Sequence, residues 1–302
     1  MAKERRGRRR LLTSEAIHGY IFASPWLIGF LMFSTYPILA VIFYSFNNYD
    51  VVSREWVGLA NYKEMFTNDP LFWKSIYNTF YYVVFAVPLG LIVSLGLAML
   101  LNQRVRGVSL FRTFFYLPVI IPTVASAILW IWVLNPEVGL INDLLARFFH
   151  IRDPGWINDV QWSKPSLIIM SVWVEAGSTM IIFLAGLQDI PRQLYEAAEI
   201  DGANSWSKFR HITIPMLTPT IFFNLVMGII WSFQVFTQVY IMTSGGPVYS
   251  TLFYVLHLYN NAFQYFRMGY ASAMAIALFV IILIFTLIIV RTSPKWVHYG
   301  GE

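Results

Sequence analysis

Six long apolar stretches, separated by short polar connections, constrain this chain more than any other feature. They cover about 20–46, 77–101, 113–134, 166–187, 217–242 and 268–290, and the only formal charge inside them is Glu175. A bilayer core about 30 Å thick is crossed by roughly 20 apolar residues in a helix. Backbone polar groups in lipid must be satisfied within the segment, which favours helices here. The fold expected is therefore all-α, a polytopic membrane protein with six transmembrane helices. Charged residues make up only 12% of the chain, about half of what a water-facing globule carries. Aromatics at 18% exclude a disordered chain, and the absence of cysteine removes disulfides and thiolate chemistry.

The connections are too short for a separate soluble domain. Residues 1–19 form a basic N-terminus, 20–290 the membrane domain and 291–302 a tail. Lys3, Arg5, Arg6, Arg8, Arg9 and Arg10 precede the first stretch as in a signal peptide. That stretch is too long for a cleaved segment and no small-residue cleavage site follows, so it reads as a retained anchor. Fourteen of the 21 Lys and Arg lie at the two termini and in the second and fourth connections. The positive-inside rule places those segments, and both termini, in the cytoplasm. The net charge of +5 is then a matter of topology and anionic lipid, not of nucleic acid.

Trp56, Tyr62, Trp73, Trp156 and Trp162 gather at the expected outer boundaries, where aromatic rings anchor in the interface or meet an extracytoplasmic partner. Pro37, Pro88, Pro118, Pro122 and Pro219 remove backbone donors inside the stretches, so the freed carbonyls need neighbouring helices or a lined cavity. Gly90 and Gly96, flanking Ser94, are expected to let helices approach closely.

Glu175 costs about 2.5–3.5 kcal/mol on an insertion scale, and such residues usually face a cavity. Trp231 could stack on a ligand face, while Ser232, Gln234 and Gln238 could hydrogen-bond a polar ligand. Taken singly, a Trp or Gln in a span more often packs.

The fourth connection, 188–216, is polar yet patterned for helix. Pro191 suits a first helical position and Gly202 a C-terminal cap. Between them Leu194, Ala197, Ala198 and Asp201 share one face, with two alanines leaving it shallow. A second short helix over about 205–210 should follow, with Pro215 and Pro219 starting the fifth span. A short helix with a small-residue face is a docking element for another protein; its apolar face is too small to hold lipid well.

Glu196-Ala197-Ala198, three residues, Gly202, nine residues, then Ile212-Thr213-Ile214-Pro215 resembles the EAA loop of ABC importer permeases. The one departure is Ile214, where Leu is usual. The strings ASPWLIGFLMFSTYPI, YSFNNYD, VGLANYKEMF, LLNQRVRG, FRTFFYLP, GLIN, AGLQDIP and SGGP resemble the carbohydrate-uptake branch, so the resemblance covers nearly the whole chain. It implies the type I ABC importer permease fold in a bacterial or archaeal cell membrane. It also implies a second permease, a cytoplasmic ATPase dimer contacted by the loop, and an extracytoplasmic sugar-binding protein. Glu196, Ala197, Ala198, Asp201 and Gly202 would be the ATPase-coupling residues. The maltose-type and glycerol-phosphate-type first-permease motifs, and the lack of a Gly-rich C-terminal tail, make a heterodimeric pore the expectation.

Maltose-type relatives hold sugar near the bilayer midplane with spans three, four and five. Carried over by position, that set falls on Val119 and Thr123, on Val174, Glu175 and Ser178, and on Gly228, Trp231, Ser232 and Val235. The last four are spaced for one helical face. A carboxylate among them favours a neutral saccharide over glycerol phosphate or acidic oligosaccharides.

No phosphate-binding Gly-x-x-x-x-Gly-Lys-Ser/Thr loop occurs. Hydrolysis is therefore expected in another chain, which would bind ATP and Mg; this chain is expected to hold no cofactor or metal and not to be an enzyme. A membrane enzyme would need clustered His, Asp or Glu, and a secondary carrier inverted repeats and charged relay residues. Neither pattern is present.

Overall fold

The structure, a computed structural model, describes residues 17–50, 52–103, 106–150 and 154–298. The basic N-terminal run, Arg104, Arg152 and the end of the tail lie outside the described residues. The chain divides into two compact units, one holding the chain up to Glu64 with Asn261–Ile276, the other Met65–Asn260 with Ala277–Glu302.

In the first unit, helix α1 (Ile17–Ser45) is long and apolar enough to cross a membrane, and its apolar window is entirely unburied. A π-helical turn at Leu31–Thr35 precedes Pro37, the wider ladder that accommodates a missing donor. Strands β1 (Asn47–Tyr49) and β2 (Arg54–Trp56) follow as an antiparallel pair with Asn48 opposite Glu55. Asp50 Oδ1 accepts from Ser53 N at 2.7 Å and Ser53 Oγ at 2.9 Å, closing the turn. Asn61, on helix α2 (Ala60–Thr67), donates to the Ser45 and Asn47 carbonyls, both at 2.9 Å.

In the second unit, α3 (Pro70–Leu101) starts at Asp69, whose Oδ1 accepts from Leu71 N at 2.9 Å and Phe72 N at 3.2 Å. The third apolar stretch is not one straight span. It is α4 (Val108–Ile120) and α5 (Thr123–Val133), bent by 100°. Pro122 has no N–H for the Pro118 carbonyl, and it forces Ile121 out of the helical region to φ −74°, ψ 127°. Helix α6 (Leu140–Phe149) lies in the next connection.

Helix α7 (Ser163–Asp189) is the most buried of the apolar helices and packs against α3 and α4. Near one end, Leu167, Ile168, Met170 and Val172 join a core with Tyr82, Trp130 and Phe253. Near the other, Met180, Phe183, Leu184 and Leu187 join a second core with Ala98, Leu101 and Leu217. Between the two cores lie Glu175 and Ser178.

The close-packing glycines are not Gly90 and Gly96, which have open space where a Cβ would stand. They are on α7. A Cβ at Gly177 would lie 2.6 Å from the Phe115 carbonyl oxygen and 2.9 Å from Val119 Cγ2. Sequence cannot tell a glycine facing a helix from one facing a gap. Trp156 also departs from expectation: it is buried in the hydrophobic core with Tyr82 and Trp130 and donates Nε1–H to Asn142 Oδ1 at 2.6 Å, so it does not anchor in lipid. Trp56, Trp73 and Trp162 are exposed.

After α8 (Arg192–Ile200), the helix beginning at Ser205 runs without a break to Phe233, 29 residues long, and is termed α9. The expected second loop helix is present as its first turn, Ser205–Lys208, capped by Asn204, and it continues directly into the span. A π-helical turn at Phe209–Thr213 leads into Pro215 and absorbs its missing donor. The fifth apolar stretch ends sooner than its hydropathy suggests: α9 stops at Phe233, and α10 (Thr237–Met242) is separate. Helix α11 (Tyr254–Tyr259) and the last long apolar helix, α12 (Met268–Thr292), complete the order. Five helices are long and apolar enough to span a membrane among the described residues, or six with the bent pair counted as one.

Candidate functional site

The break after Phe233 builds the site. Gln234 ends α9 with its side-chain Nε2 donating to the Ile230 carbonyl at 2.9 Å. The chain then turns through Val235 and Phe236 into α10, which brings Gln238 back toward α7, where Nε2 donates to Ser171 Oγ at 3.2 Å. The gap between the two cores of α7 is thereby walled on three sides, leaving a cavity of about 600 Å³.

Thr123, Glu175, Ser178, Gly228, Trp231 and Val235 all line this cavity, with Gln234 and Gln238. Thr123 is placed there by the bend at Pro122, as the first residue of α5. Trp231 is 63% exposed, its ring free to face a ligand. The Glu175 carboxylate has no hydrogen-bond or ion-pair partner among the described residues and is the one formal charge in the lining.

Val119, Val174 and Ser232, also expected at the site, lie outside this cavity. Val119 packs against Gly177. Val174 is half-buried against the core around Trp130. Ser232 is buried and lines a narrow adjoining cleft with Glu175 and Gly228. Val235 reaches the cavity, but not on a helical face shared with Gly228, because the helix has ended two residues earlier. Asn224 and Thr179 also line the cavity and were not anticipated; their spacing with Gly228 and Glu175 was the available signal.

The fourth connection forms a second surface. Helix α8 begins after Pro191, which is its N-cap, one position before the first helical residue. It ends in a Schellman arrangement: Ala203 N donates to the Ala198 carbonyl at 2.8 Å and Gly202 N to the Glu199 carbonyl at 3.1 Å. Gly202 takes φ +78°, a conformation that disfavours a Cβ.

Glu196, Ala197, Asp201 and Gly202 are exposed and Ala198 is half-buried. Ile200 at 88% and Trp206 at 67% exposure extend the outward face beyond the residues anticipated. The inward side is clamped. Tyr195 Oη and Thr213 Oγ1 are 3.0 Å apart, and Lys208 Nζ meets Glu199 Oε1 at 2.7 Å. Both ties run from α8 to the base of α9.

Among the described residues no cluster of three or more His, Asp or Glu is placed to hold a metal.

Residues 86–298 match the family described as binding-protein-dependent transport system inner membrane component. The chain is 47% identical to a probable ABC transporter permease protein, YesP, of Bacillus subtilis (strain 168), over 97% of this chain and 96% of the relative. It is 32% identical to the arabinooligosaccharides transport system permease protein AraP of the same organism, over 99% of this chain and 96% of the relative. Among solved structures it is similar to a chain of a bacterial ABC transporter involved in import of the acidic polysaccharide alginate. There the identity is 25%, the TM-score 0.82, and the coverage 95% of this chain and 99% of that one.

Proposed function

This chain belongs to the family of inner membrane components of binding-protein-dependent transport systems, and from that premise we propose that it is a permease subunit of an ATP-driven sugar importer. One observation carries the reading. The 29-residue helix α9 is clamped at its base to an exposed docking helix and forms at its far end the wall of a membrane cavity. At about 1.5 Å per residue it spans roughly 44 Å. A push on α8 is carried by Lys208 and Thr213 into α9 and shifts Trp231 and Gln234, where the cavity opens or closes.

The pushing partner is a cytoplasmic ATPase dimer, which binds ATP and Mg and performs the hydrolysis; this chain supplies no catalytic group. Glu196, Ala197, Ala198, Asp201 and Gly202, with Ile200 and Trp206, form the surface it meets. A second permease closes the pathway, and an extracytoplasmic binding protein delivers the sugar. The docking helix and both termini are cytoplasmic, in keeping with the Lys and Arg asymmetry.

Thr123, Glu175, Ser178, Gly228, Trp231, Gln234, Val235 and Gln238 contact the sugar, with Trp231 stacking on a ring face and the amides and hydroxyls exchanging hydrogen bonds with it. Val119, Val174 and Ser232 support the site from behind. The lone carboxylate favours a neutral oligosaccharide, since it would repel an anionic one. The test is ATP-dependent uptake by proteoliposomes holding the full transporter, with 196–202 replaced by a Gly-Ser segment. Uptake is expected to fall to background while the subunits remain assembled. Undiminished uptake would refute the coupling assignment.

A further inference from the structure

A second cavity, of about 820 Å³, opens where four helix ends meet: the C-terminal ends of α3 and α7 and the N-terminal ends of α4 and α8. Its lining includes Gln103, Arg112, Gln188, Arg192 and Tyr195 and, among the described residues, no carboxylate. Neither α4 nor α8 has a side-chain cap at its start. Helix ends carry about half a charge each, positive at N-termini and negative at C-termini. Two of each nearly cancel, so the field is set by two guanidinium groups without a counter-ion in the lining.

Arg112 Nη2 donates to the Leu101 carbonyl at 3.3 Å, which positions the side chain. Its Nε is buried and has no hydrogen-bond partner among the described residues. A buried charged donor left unmet is costly. Arg112 as a whole is only half-buried and Arg192 is exposed, so an acceptor entering the cavity would meet the accessible part of each guanidinium and offset part of that cost. Phosphate oxygens match a guanidinium fork, and side-chain amides at Gln103 and Gln188 supply further donors. The location narrows the source, because a basic pocket between membrane helix ends at the cytoplasmic surface meets anionic lipid headgroups.

We propose that this cavity binds a phosphate-bearing anion at the membrane surface, supplied by the headgroup of an anionic phospholipid. Because Arg192 and Tyr195 belong to α8, the bound headgroup braces the docking helix from behind. The site does not depend on which sugar is carried.

The test uses the assembled transporter in nanodiscs of phosphatidylcholine, with or without phosphatidylglycerol, followed by native mass spectrometry. One phosphatidylglycerol per copy of this chain is expected to remain bound. Arg192→Gln and Gln188→Glu, the second keeping both arginines, are each expected to lower its retention roughly tenfold, as loss of one charge-assisted contact implies. In phosphatidylcholine nanodiscs, inorganic phosphate is tested for protection of Arg112 and Arg192 against phenylglyoxal. Protection by phosphatidylglycerol alone assigns the lipid; equal protection by inorganic phosphate keeps the anion site and assigns a soluble source. Retention unchanged in both variants, protection by neither anion, or protection only when the ATPase subunits are bound would overturn the proposal.

Discussion

Lys208 Nζ lies 2.7 Å from Glu199 Oε1, joining the last turn of α8 to the first turn of α9. Lys208 is largely buried and Glu199 largely exposed, so the pair stabilises the fold by no more than about 1 kcal/mol. On the coupling proposed above, its position between α8 and α9 matters more than its energy.

Glu199→Gln should therefore leave the thermal midpoint of the assembled transporter within a few degrees, since a surface pair is worth so little. Substrate-stimulated ATP hydrolysis is expected to drop several-fold, with basal hydrolysis less affected. Stimulation equal to wild type in a coupled ATPase assay would show that the pair transmits nothing.

Glu175→Gln removes an unpartnered carboxylate from the large cavity while keeping its size. Transport of a neutral sugar is expected to continue with KM altered several-fold, because one hydrogen-bond acceptor is exchanged for an amide. Thermal stability should rise slightly, since an unpaired charge within a membrane span is costly. Unchanged uptake kinetics would remove Glu175 from the site.

Gly177→Ala would place a Cβ 2.6 Å from the Phe115 carbonyl oxygen, so α4 must move. Overpacking of this kind costs about 1–3 kcal/mol, and a lower melting temperature with reduced uptake is expected. Gly90→Ala meets nothing within 4 Å and should be neutral or slightly stabilising through helix propensity. Equal melting curves for the two variants would contradict the packing described for α7.

The Ser53 hydrogen bonds hold the Asp50 carboxyl below its ordinary value. A depressed folded-state value means the contribution to stability is present above the unfolded carboxylate range and is lost as pH falls through the folded value. Protection factors of the β1 and β2 amides, taken against intrinsic exchange at each pH, should fall under acid for the wild type. Asp50→Ala should exchange faster at neutral pH and lose that acid dependence; an unchanged acid response would place its origin elsewhere.

Local signals account for what was legible along the chain. Pro191 and Gly202 bracket α8 because each acts on backbone geometry within a turn of itself. Pro122 marked a lost donor, but not a bend of 100° or that the bend would deliver Thr123 to the cavity. The end of α9 at Phe233 left no trace, because apolar residues continue to Met242.

Sequence alone determined the helical membrane class, the short helix α8 and the isolation of Glu175, because the energetic demands of lipid, helix caps and charge in a span act residue by residue. Tertiary structure alone decided which residues meet. Gly177 and not Gly90 seats a neighbouring helix, Trp156 is interior, and Val174 and Val119 lie outside the cavity that Trp231 lines. The reason is the solvent. Lipid tails are as apolar as leucine, so in a membrane helix hydrophobicity loses its power to separate inside from outside, and only packing assigns the faces.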